Sequence, residues 1–208
     1  MLGLSIVRAI LRLPRPATYA DYLAVEEHSE HRHELIDGVI VAMAGGSDEH
    51  NALAGRLAML LGVRIQGIQG PCRYYTPDQR FWISAHGRSR YSDGSVICGK
   101  PEHPAHDEQA TTNPVLVVEV LSPSSEGDDD GDKRIDFQAV ASLEAYVLVS
   151  QDRRNTRVYR RDDAGLWLSE PESHQHGHSF VLPALSGPIS VDEIYDGILD
   201  VDGRSLLR

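Results

Sequence analysis

One short run, Pro114–Ser122, reads Pro-Val-Leu-Val-Val-Glu-Val-Leu-Ser and is closed by Pro123. Apolar, largely β-branched and bounded by prolines, it predicts a central strand buried on both faces, with the carboxylate of Glu119 inside it. Ala145–Ser150, Ala-Tyr-Val-Leu-Val-Ser, predicts a second such strand, and the segment from about Asp132 to Ala141 predicts a helix between them. Strand, helix, strand is a crossover, so the two strands should run parallel.

Other stretches follow different periods. Thr18 is placed to cap a short helix, with Asp21 at its third position. Glu34 to Met43 predicts a hairpin turning at Asp37-Gly38. Ser47 is placed to cap a helix from Asp48 to about Leu61, with Leu53, Leu57, Leu60 and Leu61 on one face. Residues 62–70 make an irregular connection. Residues 71–76 and 79–84 predict neighbouring strands around Pro77-Asp78, and 95–98 predicts another strand. Residues 100–113 hold Pro, His, Glu and Thr without periodicity, which predicts a surface loop. Segments 157–160 and 166–169 predict a hairpin, and 191–198 a short helix or strand. The fold class expected is α/β, a mixed central sheet flanked by helices. Residues 1–17 would be an extension and 18–208 a single domain.

Composition narrows the setting. Charged residues make up 25% and apolar residues 41%, as in a globular protein, and no stretch is long enough to span a bilayer, so no membrane partner is expected. Met1–Leu13 is apolar but interrupted by Arg8, with no small-residue cleavage site before Pro14, and reads as an amphipathic extension or helix and not a signal peptide. The two cysteines, Cys72 and Cys98, do not make a disulfide scaffold or a zinc spacing, which favours a reducing cytoplasm. A net charge of −11 argues against general affinity for nucleic acid but leaves room for a local basic cleft.

Three acids adjoin strands: Glu34 opens the hairpin, Asp93 precedes an apolar strand, and Glu119 lies within one. An ionised carboxylate leaves water only when paired or bound to metal, so Glu119 needs either a cation or a buried arginine. Asp93 and Glu119 on adjacent strands would suit Mg²⁺, which takes one or two carboxylates alongside water and phosphate oxygens. His174, His176 and His178 alternate as strand neighbours would, yet no further ligand completes a set, and a solvated segment is expected. His28, His31 and His33 with Glu26, Glu27 and Glu30 read as solvated helix-end residues. Arg153–Arg161 would face either solvent or phosphates.

The chain resembles the PD-(D/E)XK nuclease superfamily and, within it, the Uma-two family of restriction-endonuclease-like proteins. The resemblance is carried by Thr18-Tyr-Ala-Asp-Tyr-Leu, Glu34-Leu-Ile-Asp-Gly, Ser47 with His50, Ser92-Asp93, Val117-Val-Glu-Val-Leu-Ser-Pro-Ser, Asp132-Lys133 and Glu144-Ala-Tyr-Val-Leu-Val, over roughly residues 18–160. It implies a restriction-endonuclease-like fold and a metal-dependent endonuclease acting on DNA, with Mg²⁺ as cofactor, Mn²⁺ as substitute, and a homodimeric assembly. It implies metal ligation by Asp93 and Glu119. Glu34 would ligate directly or through water. The superfamily's usual lysine would lie two residues after Glu119, where Leu121 stands; Lys133, from the following helix, would take its place in catalysis. His50 would either face the acidic site or cap its helix. Lys133 would otherwise be a solvated lysine beside the acidic Asp128–Asp132 stretch. Ser92 stands where the family usually has Pro, Gly94 where an apolar residue is usual, and Phe137 where Tyr is common. These departures, with the acidic net charge, motivate an alternative: a nuclease-fold module, weakly active or inactive, that binds nucleic acid or protein in a regulatory role.

Overall fold

The protein is described here by a computed structural model covering residues 10–11, 15–68, 70–123, 125–199 and 202–205. In chain order its elements are β1 (Ile10–Leu11), α1 (Tyr19–His28), β2 (His33–Ile36), β3 (Val39–Ala42), α2 (Asp48–Gln66), β4 (Cys72–Tyr75), β5 (Arg80–Ile83), β6 (Arg88–Tyr91) and β7 (Gly94–Cys98). They continue with β8 (Ala110–Thr111), β9 (Leu116–Leu121), α3 (Glu126–Asp129), α4 (Asp132–Gln138), β10 (Ala145–Ser150), β11 (Asn155–Arg160), β12 (Glu172–Gln175), β13 (Ser179–Phe180), β14 (Ile189–Ser190) and α5 (Val191–Tyr195).

The expected α/β architecture is present. The first sheet has the order β12-β11-β10-β9-β7-β4 and the second β1-β3-β2-β6-β5-β8. The first is mixed: β9 and β10 run parallel, joined by the α3–α4 crossover, while β7 meets β9 antiparallel. Every residue of β9 and β10 is buried, as their apolar runs require. Alternation along β9 divides its side chains between two cores. Leu116, Val118 and Val120 pack with Leu53, Leu57, Leu61 and Ile65 of α2 and with Ile194 of α5. Val117 and Leu121 pack on the other side with Phe137 of α4 and with Phe81 and Ile83 of the second sheet. Glu119 shares that second face, which decides which helix can reach it.

Local signals hold where they depend on few residues. Thr18 and Asp21 form a reciprocal capping box on α1, and the β2–β3 hairpin turns at Asp37-Gly38, both at positive φ. The structure corrects several other expectations. Helix α2 passes Gly62 and continues to Gln66, because Ile65 completes the buried stripe and outweighs a glycine cost of about 1 kcal/mol. Strands β4 and β5 flank Pro77-Asp78 but are not neighbours: β4 pairs with β7, and β5 with β6 and β8. The turn passes the chain from one sheet to the other. The 100–113 segment contains β8, whose Ala110 and Thr111 are buried beside β5. Strand β11 pairs with β10 and β12, and the expected hairpin is shortened to its turn end, where Arg161 bridges Trp167 and the Leu168 and Asp162 N–H groups donate to the Arg160 and Leu166 carbonyls. The amphipathic extension or helix expected over Met1–Leu13 lies outside the described residues, apart from Ile10–Leu11, which pair with β3.

The cysteines are also corrected. Cys72 and Cys98 stand directly opposite one another on β4 and β7 and are joined as a disulfide. Counting cysteines could not show that two residues 26 apart become cross-strand neighbours. The argument from unlinked thiols to a reducing compartment therefore loses its premise.

Candidate active site

Antiparallel pairing of Gly94 with Val118 places Asp93, one residue before β7, opposite Glu119. Asp93 sits at the rim, its side chain 18% exposed. Its Oδ2 accepts a 2.7 Å hydrogen bond from the Val120 backbone N–H and lies 3.1 Å from His50 Nε2. Ser47 caps α2 by accepting from the His50 backbone N–H, so the His50 ring is left to face Asp93. Its Nδ1 is buried with no hydrogen-bond partner among the described residues.

Glu119 is fully surrounded. Lys133 Nζ, arriving from the first turn of α4, lies 2.9 Å from Glu119 Oε1 and 3.3 Å from Asp129 Oδ1. Lys133 is buried and does not point into solvent. The approach to Glu119 is an ion contact without directed geometry: Oε1 accepts no hydrogen bond among the described residues. The four residues Asp93, Glu119, Asp129 and Lys133 come from the start of one strand, the interior of the next, and the two helices of the crossover.

Their ionisation is interdependent. Burial drives the Glu119 pKa well above the ordinary carboxylate value; Lys133 opposes this, while Asp129 and Asp93 add to it. Burial likewise raises Asp129, again against the pull of Lys133. For Lys133 burial favours the neutral amine, but Glu119, Asp129, Glu34 and Asp93 more than offset it, so its pKa rises and the ammonium persists. Asp93 is lowered despite burial, chiefly through His50, and His50 is raised despite burial, chiefly through Asp93. One ammonium thus sits among several carboxylates, two of which resist ionisation. Such a site gains from a further positive charge.

Glu34 stands behind Lys133 on β2. Its Oε2 accepts from Arg90 Nη1 at 3.1 Å and its Oε1 from the Tyr91 backbone N–H at 3.2 Å. Arg90, on β6, also donates from Nε to Asp136 Oδ2 at 2.7 Å. Asp136 belongs to α4 and is further contacted by Arg88 and His86. Sequence reasoning missed Asp129, Asp136 and Arg90. Asp129 and Lys133 have the i,i+4 spacing of a helical pair, a signal that the dense acid run concealed. Arg90 and Asp136 had no comparable cue, because their contact joins a strand of the second sheet to the crossover helix, 46 residues apart.

The family departures acquire physical reasons. A Cβ on Gly94 would lie 2.5 Å from Tyr74 Oη, and Tyr74 donates to the Asp93 carbonyl. Gly94 therefore makes room for a tyrosine that braces the backbone of Asp93. Ser92 Oγ donates to the Gly94 carbonyl across the same bend. Phe137 is fully buried against Phe81 and Tyr146.

Other candidates resolve into structural roles. His174 stacks on Phe180 and His176 meets Asp192, and no group of three or more His, Cys, Asp or Glu side chains among the described residues is arranged to hold a metal. His33 bonds Glu26, which Tyr91 and Arg80 also contact, so this pair is part of a packed network and not a solvated helix end. Arg157 pairs with Glu126 and Asp130, and Arg161 donates to the Leu143, Gly165 and Val140 carbonyls. No helix among the described residues is long and apolar enough to cross a membrane.

Comparison with known proteins gives a consistent result. The model of the Uma2 family, described as "Putative restriction endonuclease", matches residues 19–191. Two proteins of Synechocystis sp. (strain ATCC 27184 / PCC 6803 / Kazusa), each called "Uncharacterized protein", are similar in sequence. One, slr1290, is 34% identical over 178 residues, 86% of this chain and 90% of its own length. The other, sll1609, is 33% identical over 151 residues, 73% of this chain and 84% of its own. In three dimensions the chain resembles the crystal structure of a "putative nuclease belonging to DUF820" from Anabaena variabilis ATCC 29413, with a TM-score of 0.71 and 17% identity, covering 88% of this chain and all of that one.

Proposed function

Because the chain belongs to the Uma2 family, we propose that it is a divalent-metal-dependent endonuclease hydrolysing phosphodiester bonds in DNA. The observation that carries this reading is the convergence of Asp93, Glu119 and Lys133 across β7, β9 and α4. Hard carboxylate oxygens are the donor chemistry Mg²⁺ takes, and Glu119 Oε1 is a buried oxygen without a directed hydrogen bond. Two carboxylates suffice for an ion that completes its shell with water and phosphate oxygens. Asp93 and Glu119 would hold Mg²⁺ or Mn²⁺. Glu34, whose oxygens are engaged by Arg90 and Tyr91, would act behind them through water or through the field it places on Lys133. A bound divalent ion supplies Lewis acidity toward phosphate and lowers the pKa of a coordinated water.

The chain's own residues perform the remaining tasks. Lys133, kept as an ammonium, offsets charge developing on the phosphate oxygens and orients the attacking water. Asp93 is held by Val120 N–H and His50, so its carboxylate is aimed before substrate arrives. Homodimeric assembly, which the family resemblance implies, belongs to the same proposal and is tested by sedimentation.

The decisive experiment incubates the full chain with plasmid and linear DNA, in Mg²⁺, Mn²⁺ or chelator. Cleavage should require the metal and fall by on the order of 10³-fold or more in Asp93→Ala and Glu119→Gln, with circular dichroism unchanged. Absence of metal-dependent cleavage of either DNA would sink the proposal. A second reading, a binding module without catalysis, draws on the closed contact of Lys133 with Glu119 and Asp129. It requires DNA or protein binding that is indifferent to metal and survives Lys133→Ala.

A further inference from the structure

We propose that Arg90 is a positioning residue: it anchors the α3–α4 crossover to the second sheet and thereby holds Lys133 and Asp129 over Glu119. Its functional consequence rests on the nuclease reading above; its structural content does not.

The crossover needs such an anchor. Helix α3 has four residues and α4 seven, and neither begins with a side-chain cap among the described residues. Helices this short are not stable from their own hydrogen bonds, so tertiary contacts must hold them. The N-cap position of α4 is Gly131, and a Cβ there would lie 2.4 Å from the Gly127 carbonyl oxygen, so the two helices are joined by a tight backbone bend. Apolar packing of Phe137 secures one side of α4, and the Tyr146 hydroxyl donates to the Asp129 carbonyl.

Arg90 supplies the polar half of the attachment. It is fully buried on β6 and reaches three carboxylates on three elements. Nε donates to Asp136 Oδ2 on α4 at 2.7 Å, Nη1 to Glu34 Oε2 on β2 at 3.1 Å, and Nη1 lies 3.6 Å from Asp128 Oδ2 on α3. Asp128 precedes Asp129, and Asp136 is one helical turn beyond Lys133, so both attachments flank the residues that meet at Glu119. A planar guanidinium can satisfy these divergent directions together, whereas a lysine ammonium concentrates its donors at one point. Arg88 reinforces the same anchor through Asp136 Oδ1 at 2.9 Å.

The test uses the full chain with Arg90→Met, Arg90→Lys and Asp136→Asn. Lys133 acylation by acetic anhydride is quantified by mass spectrometry, alongside hydrogen exchange over residues 126–138 and over β9 and β10. In Arg90→Met, acylation of Lys133 and exchange in 126–138 should each rise by about tenfold or more while β9 and β10 stay protected. Methylguanidinium should return both toward wild type, which a nonspecific loss of stability would not allow. Arg90→Lys should fall between the two. If Arg90→Met unfolds globally, Arg90→Lys and Asp136→Asn decide the matter by the same local readout. Unchanged Lys133 labelling in folded variants, or labelling that rises together with exchange in β9, overturns the proposal. Where the wild type cleaves DNA, kcat in Arg90→Lys should fall by about a hundredfold with KM within about threefold. A wild type that does not cleave defeats the nuclease reading and leaves the labelling result to judge Arg90.

Discussion

Gly94 shows how a single residue can look permissive in sequence and be required in space. Its φ is not in the left-handed region, so backbone freedom does not explain it. The explanation is the Tyr74 ring, which occupies the volume a side chain would fill and hydrogen-bonds the Asp93 carbonyl. Burial, then the negative charge of Asp93, pushes the Tyr74 hydroxyl up to about 12, so it remains a donor across the neutral range. Gly94→Ala should therefore displace Tyr74 and cost about 1–3 kcal/mol in urea unfolding. Tyr74→Ala should make the same substitution nearly neutral, because the clash is removed; a double-mutant cycle with no coupling would refute the account. Asp93 and Glu119 were legible beforehand as acids of adjacent strands, and Lys133 through the family resemblance, whose lysine comes from the helix after the central strand. Tyr74 and Arg90 were not, because a small residue's neighbour and a buried guanidinium's partners depend on pairings between distant segments.

At the scale of elements, β4 is the edge of its sheet, pairing among the described residues with β7 alone. It carries Tyr74, and β7 begins directly after Asp93, so the security of this edge bears on the site. The Cys72–Cys98 disulfide ties the two strands at the end remote from Asp93. Closing a loop between cysteines 26 residues apart stabilises by about 3.5 kcal/mol in the chain-entropy model. Cys72→Ser with Cys98→Ser should lower urea stability by roughly 2–4 kcal/mol and speed hydrogen exchange first in β4. Equal exchange in β4 before and after would show that α2 and β7 hold the edge without the covalent link. The crossover from β9 to β10 was readable because its apolar runs and helical gap are contiguous. The assignment of β4 and β5 to separate sheets was not, since both runs carry similar side chains and the turn at Pro77-Asp78 fits a hairpin equally well.

Across the whole molecule, the distribution of arginine is more informative than the net charge of −11. Arg157 is bound to Glu126 and Asp130, Arg160 to Glu172, Arg64 to Glu193 and Arg80 to Asp107. These guanidinium groups join elements to one another; they are committed before any phosphate arrives. Sequence alone offers the cluster at 153–161 as either solvated or phosphate-binding, and the fold uses much of it to fasten α3 and β12. An acidic protein with several of its arginines paired internally should depend on a divalent cation to bring DNA to the site. Fluorescence anisotropy should therefore find weak binding in chelator at about 0.15 M salt, and a large gain with Ca²⁺, a cation that also takes carboxylate oxygens. Each lost phosphate contact would reduce the slope of log affinity against log salt by about 0.9. Arg157→Ala should leave that slope within about half a unit of wild type while lowering the unfolding temperature through loss of its grip on α3. A slope reduced by a full contact, with stability unchanged, would instead place Arg157 on the nucleic-acid surface.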